Sequence, residues 1–339
     1  MNPTGSETTA TGFVPQIPAG PELSAVVVVG TRRRRAQAAI DALVAQTIGG
    51  RMELVVVDTT DPIRHPDLVV PEAVRTVYLR FSAELGWGKC RHHGLKHATS
   101  PLVAFIEDHC FASPGWAAAI VEGFRAGHAA VGYGFANANP RSTLSRVGML
   151  VDYGPWLVPS ESRTVSRLPG NNVAYRKDRV EVFGDALGEL LETDYNLHQA
   201  LTSRGETLFT AADAVASHQN FERVGKTIGA NFAYARLLAS HRRTRERWGS
   251  LKRLVYTLGT PVVSTPVRLG RLFASLRFRP DPGQAFLLCL KSLPHLVVVF
   301  EVVSFGEALG YWSGAGSASA RLFHWEVEVE RLEGGDADR

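Results

Sequence analysis

The chain has 339 residues, 45% hydrophobic and 21% charged, which excludes a wholly disordered protein and leaves room for a large domain with an appendage or for two domains. Its net charge of +4 is small but uneven, with basic runs at residues 32–35, 241–253 and 268–279 that suit solvated helix faces or an anionic membrane surface; they lack the interleaved aromatics of a nucleic-acid groove. The three cysteines, Cys90, Cys110 and Cys289, are far apart and form no CxxC pair, which argues against a disulfide framework and for a reducing cytoplasm.

Residues 1–22 are rich in Pro, Gly, Ser and Thr and read as a flexible tail, with neither the basic nor the apolar region of a secretory signal. Residues 25–29 are a β-branched run ending at Gly30, and 36–46 carry apolar residues at helical spacing. Residues 53–57 and 74–79 read as further strands, 89–98 as a helix, 102–106 as the fourth strand and 116–126 as a helix. Continuous apolar strands alternating with helices predict an α/β fold with a mostly parallel sheet buried on both faces. Beyond it, 131–134 and 173–175 read as strands, 137–166 as loop, 195–203 as a helix, and 211–216 as a short apolar segment closed by His218. From about residue 225 the composition turns basic and apolar, with helices expected at 228–240 and 251–258. Residues 284–309 narrowly fail as a bilayer span, because Pro294, Glu301 and Glu307 interrupt them, and read as a buried or membrane-surface helix pair. The expected domains are 23–224 and a helical region at 225–325, with a second tail at 326–339.

The most informative stretch is Phe105-Ile106-Glu107-Asp108-His109-Cys110, where a buried strand runs into an acidic pair. Ligands of open α/β sheets bind outside the carboxyl ends of the strands, and a carboxylate there can hold a divalent cation against a phosphate. Around it stand Gly30-Thr31-Arg32-Arg33-Arg34 after the first strand, Val57-Asp58-Thr59-Thr60-Asp61 after the second, Cys90-Arg91-His92-His93-Gly94, Gly170-Asn171-Asn172, Leu191-Glu192-Thr193-Asp194, and His218.

In this order the motifs resemble family-2 glycosyltransferases of the GT-A nucleotide-diphosphosugar fold, over residues 23–221. The resemblance implies donor contacts from Thr31, Arg34, Asp58, Arg91, Glu107 and Asp108, and acceptor-side contacts from Asn171 and Asn172. The Asp-x-Asp metal motif of the family is Glu107-Asp108-His109 here, which implies Mg²⁺ or Mn²⁺ on Asp108 and His109, with His218 completing the site. Asp194 falls at the place of the catalytic base, with Glu192 in reserve; replacing Asp108 or Asp194 is expected to stop transfer and leave the fold intact. The implied activity is inverting transfer of a sugar from a nucleotide-diphosphate donor to a hydroxyl of a cell-envelope or lipid-linked glycan. The Gln-x-x-Arg-Trp of processive relatives is represented only by Arg247-Trp248, so addition of one or a few sugars is expected. The alternative is a non-catalytic nucleotide-sugar-binding protein with a degenerate metal site.

Overall fold

The computed structural model describes residues 20–159 and 161–327. The tail readings at residues 1–19 and 328–339 lie outside the described residues. The elements run β1 (Leu23–Val29), α1 (Arg33–Val44), β2 (Met52–Asp58), β3 (Arg75–Arg80), α2 (Trp87–His97), β4 (Leu102–Glu107), β5 (Cys110–Ala112), α3 (Trp116–Gly123), β6 (Ala130–Asn137) and α4 (Thr143–Tyr153). They continue with β7 (Arg163–Val165), β8 (Val173–Arg176), α5 (Lys177–Val180), α6 (Leu187–Leu190), α7 (Asp194–Ser203) and β9 (Leu208–His218), then the helices α8 (Val224–Arg245), α9 (Ser250–Ser275), α10 (Pro282–Ser313) and α11 (Ala318–Val327).

One nine-stranded sheet has the order β3-β2-β1-β4-β8-β6-β9-β5, with β7 joined to β9. Strands β1, β2, β3, β4, β6 and β9 run one way and β5, β7 and β8 the other. The mixed α/β architecture with a mostly parallel sheet is the one the strand pattern predicts. Every residue of β1 and β2 is buried, as continuous Val-rich runs between two helix layers require. One apolar layer puts Ala36, Ile40 and Leu43 of α1 with Trp116 and Ile120 of α3 against the sheet. The opposite layer holds Cys90 and Leu95 of α2 with Leu197 and Leu201 of α7.

Three readings of the sequence are corrected. The supposed loop at 137–166 contains α4, capped by Ser142, whose side chain accepts from the Ser145 N–H. The expected helix pair at 284–309 is one helix, α10, which passes through Pro294; α9 likewise contains Pro261 and Pro266. A proline removes one backbone hydrogen bond from a helix, and the packing of α10 against both α8 and α9 outweighs that loss here. Finally, α11 continues through Val327, two residues into the segment read as tail, and returns to the sheet. Phe323 and Val327 share a cluster with Val26, Val28 and Trp87. The Thr31 N–H donates to the Val327 carbonyl, and a Cβ at Gly30 would stand 1.7 Å from that oxygen, so only glycine admits the end of α11 there.

Candidate active site

The carboxyl ends of β1, β2 and β4 converge beneath the end of α11. Arg33 and Arg35 leave the first turn of α1 toward this crevice, whereas Arg34, the arginine expected there, is exposed. Arg33 Nη2 lies 3.0 Å from Asp58 Oδ2 and 2.7 Å from the Pro66 carbonyl. Asp58 is fully buried; its Oδ1 accepts from the Thr60 N–H and hydroxyl, and its Oδ2 from the Tyr78 hydroxyl. Burial alone would raise its pKa, but the Tyr78 and Thr60 hydrogen bonds and Arg33 outweigh that and lower it. Asp58 thus braces the Arg33 loop, and its own oxygens face inward.

Arg35 Nη2 reaches Asp108 Oδ1 at 2.6 Å and the Glu326 carbonyl at 2.9 Å. His109 Nδ1 is 3.0 Å from the same Asp108 oxygen, and its Nε2 is 3.6 Å from Glu326 Oε2. Buried atoms without a hydrogen bond gather at this spot: Thr31 Oγ1, Arg35 Nε, Asp108 Oδ2 and Glu326 Oε2. Burial, and then the nearby Glu107 and Asp108 carboxylates, raise the Glu326 pKa against the opposing pull of His109. Nothing in its local motif marked Glu326, because α11 brings it from the far end of the chain.

Glu107 turns into the protein. Its Oε1 accepts from Asn171 Nδ2 at 2.9 Å, and its Oε2 from Asn172 Nδ2 at 2.5 Å and the Tyr153 hydroxyl at 3.1 Å. His218 Nε2 lies 3.5 Å from Oε2, placed by the β5–β9 register that sets Cys110 opposite His218. Burial opposes ionisation of Glu107, but His109, His218 and Asn172 outweigh it and hold the carboxyl well below the usual range. Ligating atoms of Glu107, Cys110 and His218 lie within 4.8 Å of one another, yet burial and the adjoining acids push the Cys110 thiol well up, which keeps it protonated.

Asp194 and Arg91, expected as base and pyrophosphate contact, meet one another. Both are buried, and Arg91 Nη1 and Nη2 grip Asp194 Oδ2 and Oδ1 at 2.8 and 3.1 Å. The Tyr175 hydroxyl and the Asn171 N–H fill the remaining positions of the carboxylate. Both Nη groups of Arg91 are thus engaged, by Asp194 and the Leu191 and Asn171 carbonyls, inside the core. Asn171, at φ 65°, adopts the left-handed conformation that Asn tolerates, which aims its N–H at Asp194. Glu192 accepts from the Gly88 N–H at 2.9 Å and from Ser319, which ties α2 to α11 and leaves it occupied.

A cavity opens beside this centre, lined by Glu107, His109, Asp152, Asn171, His218 and Glu326. Asp152, in the last turn of α4, makes no hydrogen bond among the described residues and presents its carboxylate to the cavity. Its side chain is exposed to the cavity rather than packed; the protein that encloses the cavity, and then Glu107, push its pKa up to about 7. Such a group takes up or releases a proton near neutrality. The signal that could have found it is the Ser142 cap followed by Leu144, Val147 and Val151 at helical spacing.

Residues 24–181 match the family model described as glycosyl transferase family 2. This segment is a family-2 glycosyltransferase domain. Among solved structures, the glycosyltransferase resembles the mannosyltransferase PcManGT from Pyrobaculum calidifontis, in complex with GDP-Man and Mn²⁺, at 17% identity and TM-score 0.51, over 86% of this chain and 88% of that one. It also resembles S. aureus TarS 1–349 in complex with UDP-GlcNAc, at 13% identity and TM-score 0.46, over 85% and 90% of the two chains. At 17% identity the likeness to the mannosyltransferase concerns the fold. Among curated proteins no match is found.

Proposed function

We propose that this glycosyltransferase moves a sugar from a nucleotide-diphosphate donor, seated at the carboxyl ends of β1, β2 and β4, to an acceptor hydroxyl in the adjoining cavity. The observation that carries the reading is the group of buried polar atoms without a hydrogen bond on Thr31, Arg35, Asp108 and Glu326. Buried polar atoms without partners are rare, and a mixed set of donors and carboxylate oxygens at strand ends suits a diphosphate with its counter-ion.

The same atoms fit a divalent cation. Asp108 Oδ2 and Glu326 Oε2 would hold it through oxygen, with His109 contributing nitrogen, a donor set that suits Mn²⁺ better than Mg²⁺. When bound, the ion would neutralise the charge that develops on the departing diphosphate. Arg35 would add a second positive group beside it. Glu107 and His218 brace the site, since both oxygens of Glu107 are already hydrogen-bonded. Asn171 and Asn172 hold the loop on the acceptor side. Asp152, in place of Asp194, takes the proton of the acceptor hydroxyl as that oxygen attacks the anomeric carbon. A single displacement of this kind inverts the anomeric centre, and the incomplete processive motif, Arg247-Trp248 alone, supports the addition of one or a few sugars.

A thermal-shift screen of nucleoside diphosphates and nucleotide sugars, with GDP-Man and UDP-GlcNAc among them, is expected to single out one base and to need Mn²⁺ for its full shift. Asp108→Asn should remove the Mn²⁺-dependent part. A flat response to every nucleotide would exclude a donor site.

The enzyme's place at the inner face of the membrane is part of the same proposal. Among the described residues one helix, α10, is long and apolar enough to cross a membrane, by length and composition. It packs along α8 and α9. Leu251, Val255, Leu258 and Val262 form an exposed stripe on α9, and Phe286, Leu290, Val298 and Phe305 stand exposed on α10. Apolar faces of this extent beside Lys252, Arg253 and Arg277 suit a peripheral seat on anionic lipid. The protein is expected to float with phosphatidylglycerol vesicles, and Leu258→Asp/Val262→Asp to lose most of that binding. Equal flotation of the double variant would rule out the α9 face.

A further inference from the structure

A second cavity lies between α4 and the helices α8, α9 and α10. Asp152, Gly170, Asn231 and Tyr234 line both cavities, so the two are continuous past the proposed base. Arg167, Arg242, Arg268 and Arg271 line the second one. Two of these are neutralised or engaged: Arg268 Nη2 pairs with Glu307 at 2.6 Å, and Arg242 meets Glu246 at 3.2 Å. Arg167 and Arg271 meet no carboxylate among the described residues. The Arg167 guanidinium lies 5.7 Å from the Trp156 ring and 5.8 Å from that of Tyr195. Its side chain and that of Arg271 are exposed to the cavity, and the surrounding protein, with Arg271 and Arg268 nearby, lowers the Arg167 pKa. Two exposed guanidiniums without a carboxylate partner on the wall of one cavity favour an anion there and can both turn toward it.

We propose that the second cavity is the acceptor site and that the acceptor carries a phosphate group, held between Arg167 and Arg271. This rests on the transferase reading above and names the substrate class it left open. Two guanidinium forks match the several oxygens of a phosphate, and the walls of Trp156, Tyr195 and Tyr234 suit the sugar or polyol that bears it. A hydroxyl of that acceptor lies toward Asp152. In the transfer, its oxygen bonds to the anomeric carbon, the bond from that carbon to the diphosphate oxygen breaks, the proton passes to Asp152, and the nucleoside diphosphate leaves.

Isothermal titration of the full chain with glycerol 1-phosphate, and with glycerol as the uncharged control, reads this site without any nucleotide, so its failure is separate from that of the donor screen. The phosphate ester is expected to bind saturably and glycerol not at all. Arg167→Gln and Arg271→Gln each weaken binding roughly tenfold or more, the loss of one charge-assisted contact, and together abolish it. Arg33→Gln, on the donor side, retains it. Melting curves of the same variants check that they are folded. Absence of binding to the ester, binding that survives the double substitution, or binding lost in Arg33→Gln alone overturns the proposal. Dioctanoyl phosphatidic acid as a further probe separates the sources of the phosphate: tighter binding than glycerol 1-phosphate assigns it to a lipid-linked acceptor, and equal binding to a soluble or polymeric one.

Discussion

Asp152→Asn is expected to lower kcat by about 10²–10⁴-fold, the usual contribution of a positioned general base, and to leave donor binding unchanged. The expectation rests on where the carboxylate stands. It is exposed to both cavities and has no hydrogen-bond partner among the described residues, and the protein enclosing those cavities, with Glu107 nearby, lifts its pKa to about 7. A base must be deprotonated to act, so kcat should rise as pH passes upward through about 7, and Asp152→Asn should erase that limb. The stability has the opposite sign. An aspartate in the unfolded chain titrates near 4. Between that value and about 7 the unfolded state has released its proton while the native state retains it, so stability falls as pH rises across this window. Asp152→Asn removes the penalty and should melt higher than the parent protein at pH 8, a stabilised and inactive variant of the kind expected when a group is strained for function. Full turnover in a folded Asp152→Asn protein would end its assignment as base.

The sheet was legible in the sequence because its strands are continuous apolar runs, and burial on both faces leaves no other reading for Ala25–Val29 or Val55–Val57. The acidic end of β4 was legible for the same reason: the run stops at Glu107 and Asp108. What escaped depends on contacts between distant segments. Glu326 arrives on α11, hundreds of residues after the Arg35 it meets, and no local pattern announces that return. Asp152 ends a helix whose apolar spacing is interrupted by Gly148, and the stretch was read as loop. Pro294 suggested a break, yet the packing of α8 and α9 on either side keeps α10 continuous. Arg91 and Asp194 were found by motif, but a motif gives position along the chain and says nothing about whether two opposite charges will meet in the core.

That pair gives the other large effect. Asp194→Asn is expected to destabilise the protein by about 3–5 kcal/mol, because it leaves the Arg91 guanidinium buried without a counter-charge. The melting temperature should fall by roughly 6–10 °C. No other group is placed to compensate. His198 shares the Tyr175 hydroxyl with Asp194, and burial pushes its pKa down to about 4, so it is uncharged at neutral pH. Arg91 also lies over the Phe105 ring at 4.2 Å, so methionine can keep its apolar contacts without its charge. Arg91→Met/Asp194→Asn should therefore be less destabilised than the sum of its single variants, with a coupling of about 1–3 kcal/mol. The same variants separate support from chemistry. If Asp194 acts by holding the Asn171 turn against Glu107, Asp194→Asn assayed well below its melting point should retain measurable kcat with the acidic limb still near pH 7. A folded, thermally unchanged and inactive Asp194→Asn protein would return the role of base to Asp194 and take it from Asp152.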